Sequence, residues 1–329
     1  MKKSITRHSS LIISNLLIST NVMPKTIIIG SRRSKLAQIQ SHLVRDMLLA
    51  AWDEVTVTIE LFDTRGDLNR HDPLPKIGGK GLFTAELEAA LREGKIDLAV
   101  HSLKDLPVED SPGLTILAIP KRAATEDVLI ARHASRIAEL PAGAVVGTSS
   151  LRRASQILAL RPDLQIKDIR GNVDTRLRKV TDPGYGYDAT LLAQAGLNRL
   201  GYATAPHGHP IPHREMLPAP GQGALAVQGR ANDPAMVAYL APLDDTATRA
   251  AVTAERAFFA GLGGGCSLPV AALGQVEGAD LHLQALVASP DGAQVVRVAG
   301  RGSITEAEAL GQRLTAEAVS QGAGELVVK

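Results

Sequence analysis

From residue 25 onward, short apolar runs alternate with segments of helical periodicity, and this alternation limits the chain to few folds. Residues 26–29, 55–62 and 96–100 are rich in β-branched and apolar residues, as expected of strands. Glycine or polar residues end each run. Strands and helices that alternate in this way form a mostly parallel sheet with helices on both faces, so we expect an α/β protein.

The helical segments carry their large apolar residues at intervals of three or four. Ser34 is the expected N-cap of the first helix. The apolar residues on one face of that helix are Leu36, Ile39, Leu43 and Met47. A second helix is expected to open at residues 78–81, with a buried side formed by Phe83, Leu87, Ala90 and Leu91.

A chain of 329 residues is too long for one compact core, and a second series of strands and helices begins near Thr125. Residues 207–220 are rich in proline and histidine, which predicts a linker or crossing loop. Residues 224–228 form an expected strand that can return to the first sheet. The last unit differs, because a helix over 246–262 precedes alternating residues over 281–298, which predicts antiparallel strands with one covered face.

Basic side chains recur directly after the predicted strands, where an α/β protein forms its ligand crevice. The clusters lie at 30–34, 76–80, 147–153 and 170–176. Helix N-termini offer free N–H groups and arginine offers paired donors, both suited to carboxylates or phosphates. The glycine spacings match neither the dinucleotide pattern nor the Walker pattern. Each cluster alone is more typical of a solvated basic turn, but several clusters at equivalent strand ends of two units predict a cleft for a ligand with several anionic groups.

Composition argues against other classes of protein. The 36 basic residues nearly balance the 34 acidic ones, and aromatic residues make up only 3 %, which disfavours a nucleic-acid binder. A single cysteine excludes an internal disulfide framework and a cysteine-rich metal site. The histidines within 207–213 fit no standard ligand spacing, so we expect no metal.

Two residues have the chemistry for a reaction. Asp105 follows the apolar strand at 96–100, where its carboxylate would enter a cationic crevice and stabilise positive charge on a substrate nitrogen. Cys266 follows three glycines after a helix, where a thiolate is accessible and can bond to carbon. Taken alone, Asp105 is more typical of a turn or cap residue, and Cys266 is more typical of an inert small core residue.

Residues 1–22 begin with basic side chains and contain a short apolar stretch that Ser14 and Asn15 interrupt. The stretch is too short to span a bilayer, and no small-residue cleavage motif follows it. We therefore expect a disordered extension over 1–22.

Seven motifs, in this order and over about residue 25 to the end, together resemble those of the porphobilinogen deaminase family. They are Arg65-Gly-Asp67, Lys76-Ile-Gly-Gly-Lys80-Gly-Leu-Phe83, His101-Ser-Leu-Lys-Asp105-Leu-Pro-Val108, Gly147-Thr-Ser-Ser-Leu-Arg-Arg153, Arg170-Gly-Asn-Val173, Pro220-Gly-Gln-Gly-Ala224 and Gly264-Gly-Cys266. The third and fourth motifs are highly specific to that family.

The resemblance implies a transferase of tetrapyrrole and haem biosynthesis. Such an enzyme joins four porphobilinogen molecules stepwise onto a dipyrromethane cofactor and releases hydroxymethylbilane by hydrolysis. The implied fold is α/β with three domains: two periplasmic-binding-protein-like (type II) lobes around a cleft and a small α/β C-terminal domain with an antiparallel sheet. The implied domains are 23–122 plus 224–241, then 126–217, then 246–329 with the cofactor cysteine loop.

Motif positions also imply roles for individual residues. Asp105 would be catalytic, and Cys266 would hold the dipyrromethane through a thioether. The cofactor carboxylates would be bound by Lys104, Thr148, Ser150, Arg152 and Arg153. The substrate would be bound by Arg32, Ser34, Arg170 and Arg176. A mobile lid would include Lys76, Lys80 and Phe83.

The resemblance further implies a cytoplasmic monomer that binds porphobilinogen and neither nucleic acid nor membranes. Arg33 stands where family members often carry an uncharged residue, so the resemblance assigns it no role. A second hypothesis from the residues is a two-lobed small-anion binding protein without catalysis. It explains the cationic strand ends equally well but requires neither Asp105 nor Cys266.

Overall fold

The structure is a computed structural model that describes residues 26–64, 84–109, 111–202, 208–264 and 268–327. The expected extension over 1–22, the lid residues Lys76, Lys80 and Phe83, and Cys266 lie outside the described residues. Within the described ranges, no helix is long and apolar enough to cross a membrane.

The described strands form three sheets. Their bounds are β1 Thr26–Arg32, β2 Thr56–Phe62, β3 Leu98–Ser102, β4 Leu114–Ala118, β5 Asp127–Ala131, β6 Val145–Gly147, β7 Gln165–Lys167, β8 Ala189–Ala193, β9 Gly208–Pro210, β10 Leu225–Arg230, β11 Val270–Glu277, β12 Asp280–Ala288 and β13 Val295–Ser303. The α-helices of the described ranges are α1 Lys35–Ala51, α2 Ala85–Arg92, α3 Leu151–Leu160, α4 Val173–Thr181, α5 Gln194–Arg199, α6 Pro234–Leu240, α7 Thr246–Gly261, α8 Ala307–Ser320 and α9 Ala323–Val327.

The first two sheets share one strand arrangement. Their orders are β2-β1-β3-β10-β4 and β7-β6-β8-β5-β9, and in each the fourth strand is antiparallel to both neighbours. The first three strands of each order are parallel, so their carboxyl ends lie at one edge of the sheet. That edge is where an α/β lobe presents its ligand-binding groups.

Alternating residues of β1 pack on opposite faces of the first sheet. Ile27 and Ile29 join the core under α1 and α6, whereas Ile28 packs against the cluster that holds Leu87 and Leu91 of α2. Helices therefore cover both faces, as the alternating pattern predicted.

The chain crosses between the two lobes twice. It leaves the first sheet after β4 and enters the second through β5; it returns through β10, which pairs with β3 and β4. The return strand predicted at 224–228 is therefore confirmed. The segment predicted as a linker over 207–220 is only partly irregular, because Gly208–Pro210 forms β9 at the edge of the second sheet.

The C-terminal unit packs α7 and α8 on one face of the antiparallel sheet β11-β12-β13. Phe258 of α7 is fully buried there with Leu283 of β12 and Leu314 of α8. The expected arrangement of two α/β lobes and a small C-terminal domain with an antiparallel sheet is confirmed.

The predicted buried face of α1 is wrong by one position. Leu43 and Met47 are each 37 % exposed, and the buried residues are Ala37, Gln40, Ser41, Val44 and Leu48. Gln40 Nε2 donates to Ser102 Oγ at 2.8 Å, so a polar side chain is satisfied beside the sheet. Because apolar residues occupy much of this helix's circumference, spacing alone could not select the correct face.

Candidate active site

A cleft of about 890 Å³ lies between the two lobes. Its walls come from the segments that follow β1, β3, β6, β7 and β8, and its described lining holds nine basic and three acidic side chains. The segments after β1, β6 and β7 carry three of the four predicted basic clusters, and the fourth, at 76–80, lies outside the described residues. The excess of cations favours a ligand with several carboxylates or phosphates.

Asp105 and Lys104 stand in a single 3₁₀ turn, Leu103–Asp105, directly after β3. Leu103 is fully buried and anchors the turn, while Asp105 is exposed to the cleft. Lys104 Nζ donates to Gln222 Oε1 at 3.4 Å. Burial lowers the pKa of Lys104 to about 8, against the opposing effect of the neighbouring Asp105 carboxylate.

Arg152 and Arg153, at the start of α3, share the buried carboxylate of Asp127. Arg153 Nη2 lies 2.7 Å from Asp127 Oδ1, and Arg152 Nη1 lies 2.7 Å from Asp127 Oδ2. Burial acts to raise the pKa of Asp127, but the two guanidinium groups outweigh it and hold the pKa below its usual range. The carboxylate therefore stays charged and holds both arginines in place.

The predicted cofactor-binding residues do not all reach the cleft. Lys104 and Arg153 line it, whereas Thr148, Ser150 and Arg152 do not. Thr148 is buried, and its Oγ1 accepts from the Ser150 N–H at 3.1 Å. Arg152 Nη1 also donates to the Leu217 carbonyl at 2.7 Å, so this arginine is bonded within the protein.

The four predicted substrate residues all line the cleft, two from each lobe. Ser34 caps α1, because its hydroxyl accepts a hydrogen bond from the Ala37 N–H. This bond orients the Ser34 side chain just beyond the end of β1, close in sequence to Arg32. On the other lobe, Arg176 Nε donates to the Gly171 carbonyl at 2.9 Å. Burial lowers the pKa of Arg176 to about 10, so its guanidinium stays protonated at neutral pH.

Sequence reasoning missed three further basic residues of the cleft: Lys35 at the start of α1, and Lys179 and Arg199 on the second lobe. Arg199, at the end of α5, donates from Nη2 to the Gly223 carbonyl at 2.8 Å, and burial lowers its pKa. Lys179 donates from Nζ to the Arg170 carbonyl at 3.1 Å. Lys179 and Arg199 lie within helices, at least one helical turn beyond the end of the preceding strand. The predicted clusters include only residues close to the strand ends, so they leave these two out.

The C-terminal unit meets the cleft beside Asp105. Arg256 of α7 donates from Nη2 to the Pro107 carbonyl at 2.6 Å. At Gly264, beyond the end of α7, the space for a Cβ is already filled by Val108. The chain thus passes within contact of the Asp105 loop two residues before Cys266.

The residues present fit a polycarboxylate cofactor. Lys104 and Arg153 present cationic groups to the cleft from opposite lobes, and cationic groups bind carboxylates. Among the described residues, no group of three His, Cys, Asp or Glu side chains could hold a metal ion.

The fold and the cleft define a two-lobed α/β protein suited to a ligand that carries several carboxylates. The family model described as "Porphobilinogen deaminase, dipyromethane cofactor binding domain" matches residues 27–238, and "Porphobilinogen deaminase, C-terminal domain" matches residues 249–320. This chain therefore belongs to the porphobilinogen deaminase family.

Individual relatives agree with the family models. The porphobilinogen deaminase of Roseiflexus sp. (strain RS-1) is 50 % identical over 300 residues, which cover 91 % of this chain and 98 % of that protein. That of Desulforudis audaxviator (strain MP104C) is 48 % identical over 307 residues, covering 93 % and 98 %. The solved periplasmic aliphatic sulphonate binding protein SsuA from Escherichia coli aligns at 16 % identity and a TM-score of 0.37, over 72 % of this chain and 70 % of that chain, a likeness too low to bear on function.

Membership confirms the resemblance carried by the seven motifs. It makes the chain a transferase of tetrapyrrole biosynthesis with porphobilinogen as substrate and dipyrromethane as cofactor. The transferase is therefore favoured over the small-anion binding protein without catalysis.

Proposed function

We propose that this chain joins four porphobilinogen molecules on a dipyrromethane bound to Cys266 and releases hydroxymethylbilane, with Asp105 as the catalytic residue. The supporting observation is an exposed carboxylate at the end of β3 within a cleft lined by nine basic side chains. Each porphobilinogen ring carries an acetate and a propionate, which suit the basic side chains. The ring nitrogen gains positive charge as ammonia leaves, and a fixed carboxylate stabilises that charge.

The cofactor carboxylates are bound by residues of both lobes. Lys104 supplies an ammonium from the first lobe and Arg153 a guanidinium from the second. The cofactor-binding roles of Thr148, Ser150 and Arg152 stay predictions from the resemblance, because these residues do not line the cleft. When bound, the dipyrromethane supplies the nucleophilic pyrrole carbon for the first addition.

Attachment at Cys266 is supported by the contacts of the segment that leads to it. The bond from Arg256 to the Pro107 carbonyl and the packing of Gly264 on Val108 hold the end of α7 beside the Asp105 turn. These contacts place the described segment that precedes Cys266 next to the turn that carries Asp105, which supports attachment of the cofactor at Cys266.

Incoming porphobilinogen is bound by Arg32 and Ser34 of the first lobe and by Arg170 and Arg176 of the second. Arg176 stays protonated across the neutral range, so it retains its charge for a substrate carboxylate. The lid role of Lys76, Lys80 and Phe83 stays a prediction from the resemblance.

The chain acts as three domains over 23–122 plus 224–241, 126–217 and 246–329, in keeping with the strands assigned to each sheet. We propose a cytoplasmic monomer, since both walls of the cleft come from one chain and the single cysteine is free for the cofactor. It binds neither nucleic acid nor membranes, in keeping with its near-neutral charge. Light scattering of the purified enzyme, which measures its mass in solution, tests whether it is a monomer.

Replacing the carboxylate of Asp105 tests the proposal. Asp105→Asn keeps the side-chain shape but removes the charge, so turnover of porphobilinogen should fall by about 100-fold or more. The matched control is Asp63→Asn, because Asp63 also lines the cleft and pairs with Arg33 at 2.8 Å. The control should stay within about threefold of wild type, which is the range for a surface ion pair. Near-normal turnover in folded Asp105→Asn would remove Asp105 from its role.

A further inference from the structure

Gln222 lies on the return crossing between the two lobes and is fully buried. It stands between two glycines with positive φ, Gly221 at 76° and Gly223 at 87°. A Cβ on Gly223 would lie only 2.6 Å from the Ala123 carbonyl oxygen and 2.7 Å from that of Ala124. Glycine therefore lets the two crossing segments pack directly on each other, with the Gln222 side chain enclosed at this junction.

The Gln222 amide joins groups from both lobes. Its Nε2 donates to the Thr125 carbonyl at 2.7 Å and to Asp127 Oδ1 at 3.1 Å, on the second-lobe side. Its Oε1 accepts from Lys104 Nζ of the first lobe at 3.4 Å. The acceptor end of the amide thus meets a cation and the donor end meets an anion, an orientation that suits both partners.

Asp127 Oδ1 is a shared acceptor. It receives Gln222 Nε2 and also Arg153 Nε and Nη2, at 3.2 and 2.7 Å. A short chain of hydrogen bonds therefore runs from Lys104 through Gln222 and Asp127 to Arg153. The two ends of this chain are the two cofactor-binding cations that line the cleft from opposite lobes.

We propose that Gln222 is a positioning residue for the reaction, which sets the separation of Lys104 and Arg153 for the cofactor carboxylates. The proposal rests on the cofactor-binding roles assigned above. Gln222 itself touches neither cofactor nor substrate. It acts through the two cations, and it also joins the crossings, because its carbonyl accepts from Arg122 Nε at 2.7 Å.

The charge of Lys104 provides a readout that a purely structural role would not move. Asp105 and Asp127 favour its charged form, Arg152 and Arg153 oppose it, and burial opposes it most strongly. The hydrogen bond to Gln222 Oε1 stabilises the charged form of Lys104, so removal of this acceptor lowers the pKa of Lys104. A glutamate carboxylate at the same position raises it, while its second oxygen can no longer donate to Asp127 Oδ1 and the Thr125 carbonyl.

The test compares Gln222→Met, which keeps the length without hydrogen bonds, with Gln222→Glu, which keeps the shape and adds a charge. Gln228→Met is the matched control, since Gln228 is also a buried glutamine near the crossing but bonds to His101. Cofactor content of each full-length protein is measured by intact mass, and kcat and KM for porphobilinogen are measured from about pH 6 to about pH 10.

We expect kcat/KM to fall about 10-fold in both Gln222 variants, because the cations are displaced. The alkaline loss of activity should move to lower pH in Gln222→Met and to higher pH in Gln222→Glu. Gln228→Met should keep the wild-type profile even if its melting temperature falls.

The positioning role is overturned if the alkaline loss of activity does not move in opposite directions in the two Gln222 variants. It is also overturned if the alkaline loss moves equally in Gln228→Met. If Gln222→Met fails to fold, the direction of the shift in Gln222→Glu decides alone. Failure of the wild-type protein to consume porphobilinogen would instead overturn the proposed function, so the two failures are distinguishable.

Discussion

Asp127 organises the cleft without lining it. Its two oxygens hold Arg152 and Arg153, and Gln222 adds a third side chain to the same carboxylate. The carboxylate is fully buried, where an unpaired charge would be strongly unfavourable, so its pairing with two guanidinium groups is essential. One buried anion thus fixes the directions of both arginines, of which Arg153 lines the cleft.

His101 lies four residues before Asp105, and it is predicted to make the stability of the fold depend on pH in the acidic range. Burial lowers its pKa to about 4, although the bond to Gln228 at 3.1 Å opposes the shift. Between pH 6.5 and about 4 the unfolded chain binds a proton that the folded chain does not, so stability falls as pH falls. The free energy of unfolding should decrease by roughly 3 kcal/mol across this window, with no further loss from this group below it.

Urea unfolding at a series of pH values checks the His101 prediction. His101→Gln should lose most of the pH dependence within the window, whereas His282→Gln, in the C-terminal sheet, should keep the wild-type slope. Equal slopes in wild type and His101→Gln would contradict the assignment to this histidine.

At the residue scale, motifs predicted the groups at strand ends but not the groups that hold them. Asp105, Lys104 and Arg153 lie in contiguous motifs and face the cleft. Asp127 begins the apolar strand β5 and has no local signal, since its partners are more than twenty residues away in sequence. Arg152 is buried, and its guanidinium donates to the Leu217 carbonyl. This contact joins residues 65 positions apart, so the motif that contains Arg152 could not predict it.

At the scale of elements, the start of the first lobe was the more predictable part. β1, α1 and β3 were expected from periodicity, whereas β4, β5, β9, β11 and α6 were not identified. β4 has five residues, and its middle three are only partly buried, so it lacks a clear alternation. Its place is set by pairing with β10, a contact between distant parts of the chain.

Glu255 of α7 is predicted to stabilise the junction between the C-terminal unit and the lobes. This fully buried carboxylate accepts from Arg122 Nη1 and Nη2 at 2.6 and 2.9 Å, and from the Gly221 and Gly274 N–H groups at 2.7 Å each. Glu255→Ala leaves the Arg122 guanidinium buried and unpaired. The free energy of unfolding should fall by about 3 kcal/mol or more, measured by urea denaturation.

The control for Glu255 is Glu93→Ala, which removes an exposed carboxylate that pairs with Lys95 at 2.6 Å. Exposed pairs contribute little, so its unfolding midpoint should match that of wild type. Equal midpoints for both variants would show that the buried ion pair does not hold the junction together.

At the scale of the whole molecule, all three units contribute residues near the Asp105 turn. Two lobes bring basic strand ends together, and the C-terminal unit directs the end of α7 to Pro107 and Val108. The resemblance predicted this architecture, but the apolar pattern alone predicted only α/β units followed by an antiparallel sheet. The junctions could not be predicted, because they depend on single polar contacts between residues far apart in the chain.

Intact mass spectrometry of the purified protein, produced in cells supplied with porphobilinogen, tests the central claim most directly. The account predicts that the wild-type mass exceeds the mass calculated from its sequence by that of two linked pyrroles, and that Cys266→Ala, folded to the same extent, lacks this addition. An unmodified wild-type protein, or an addition retained by Cys266→Ala, would contradict it.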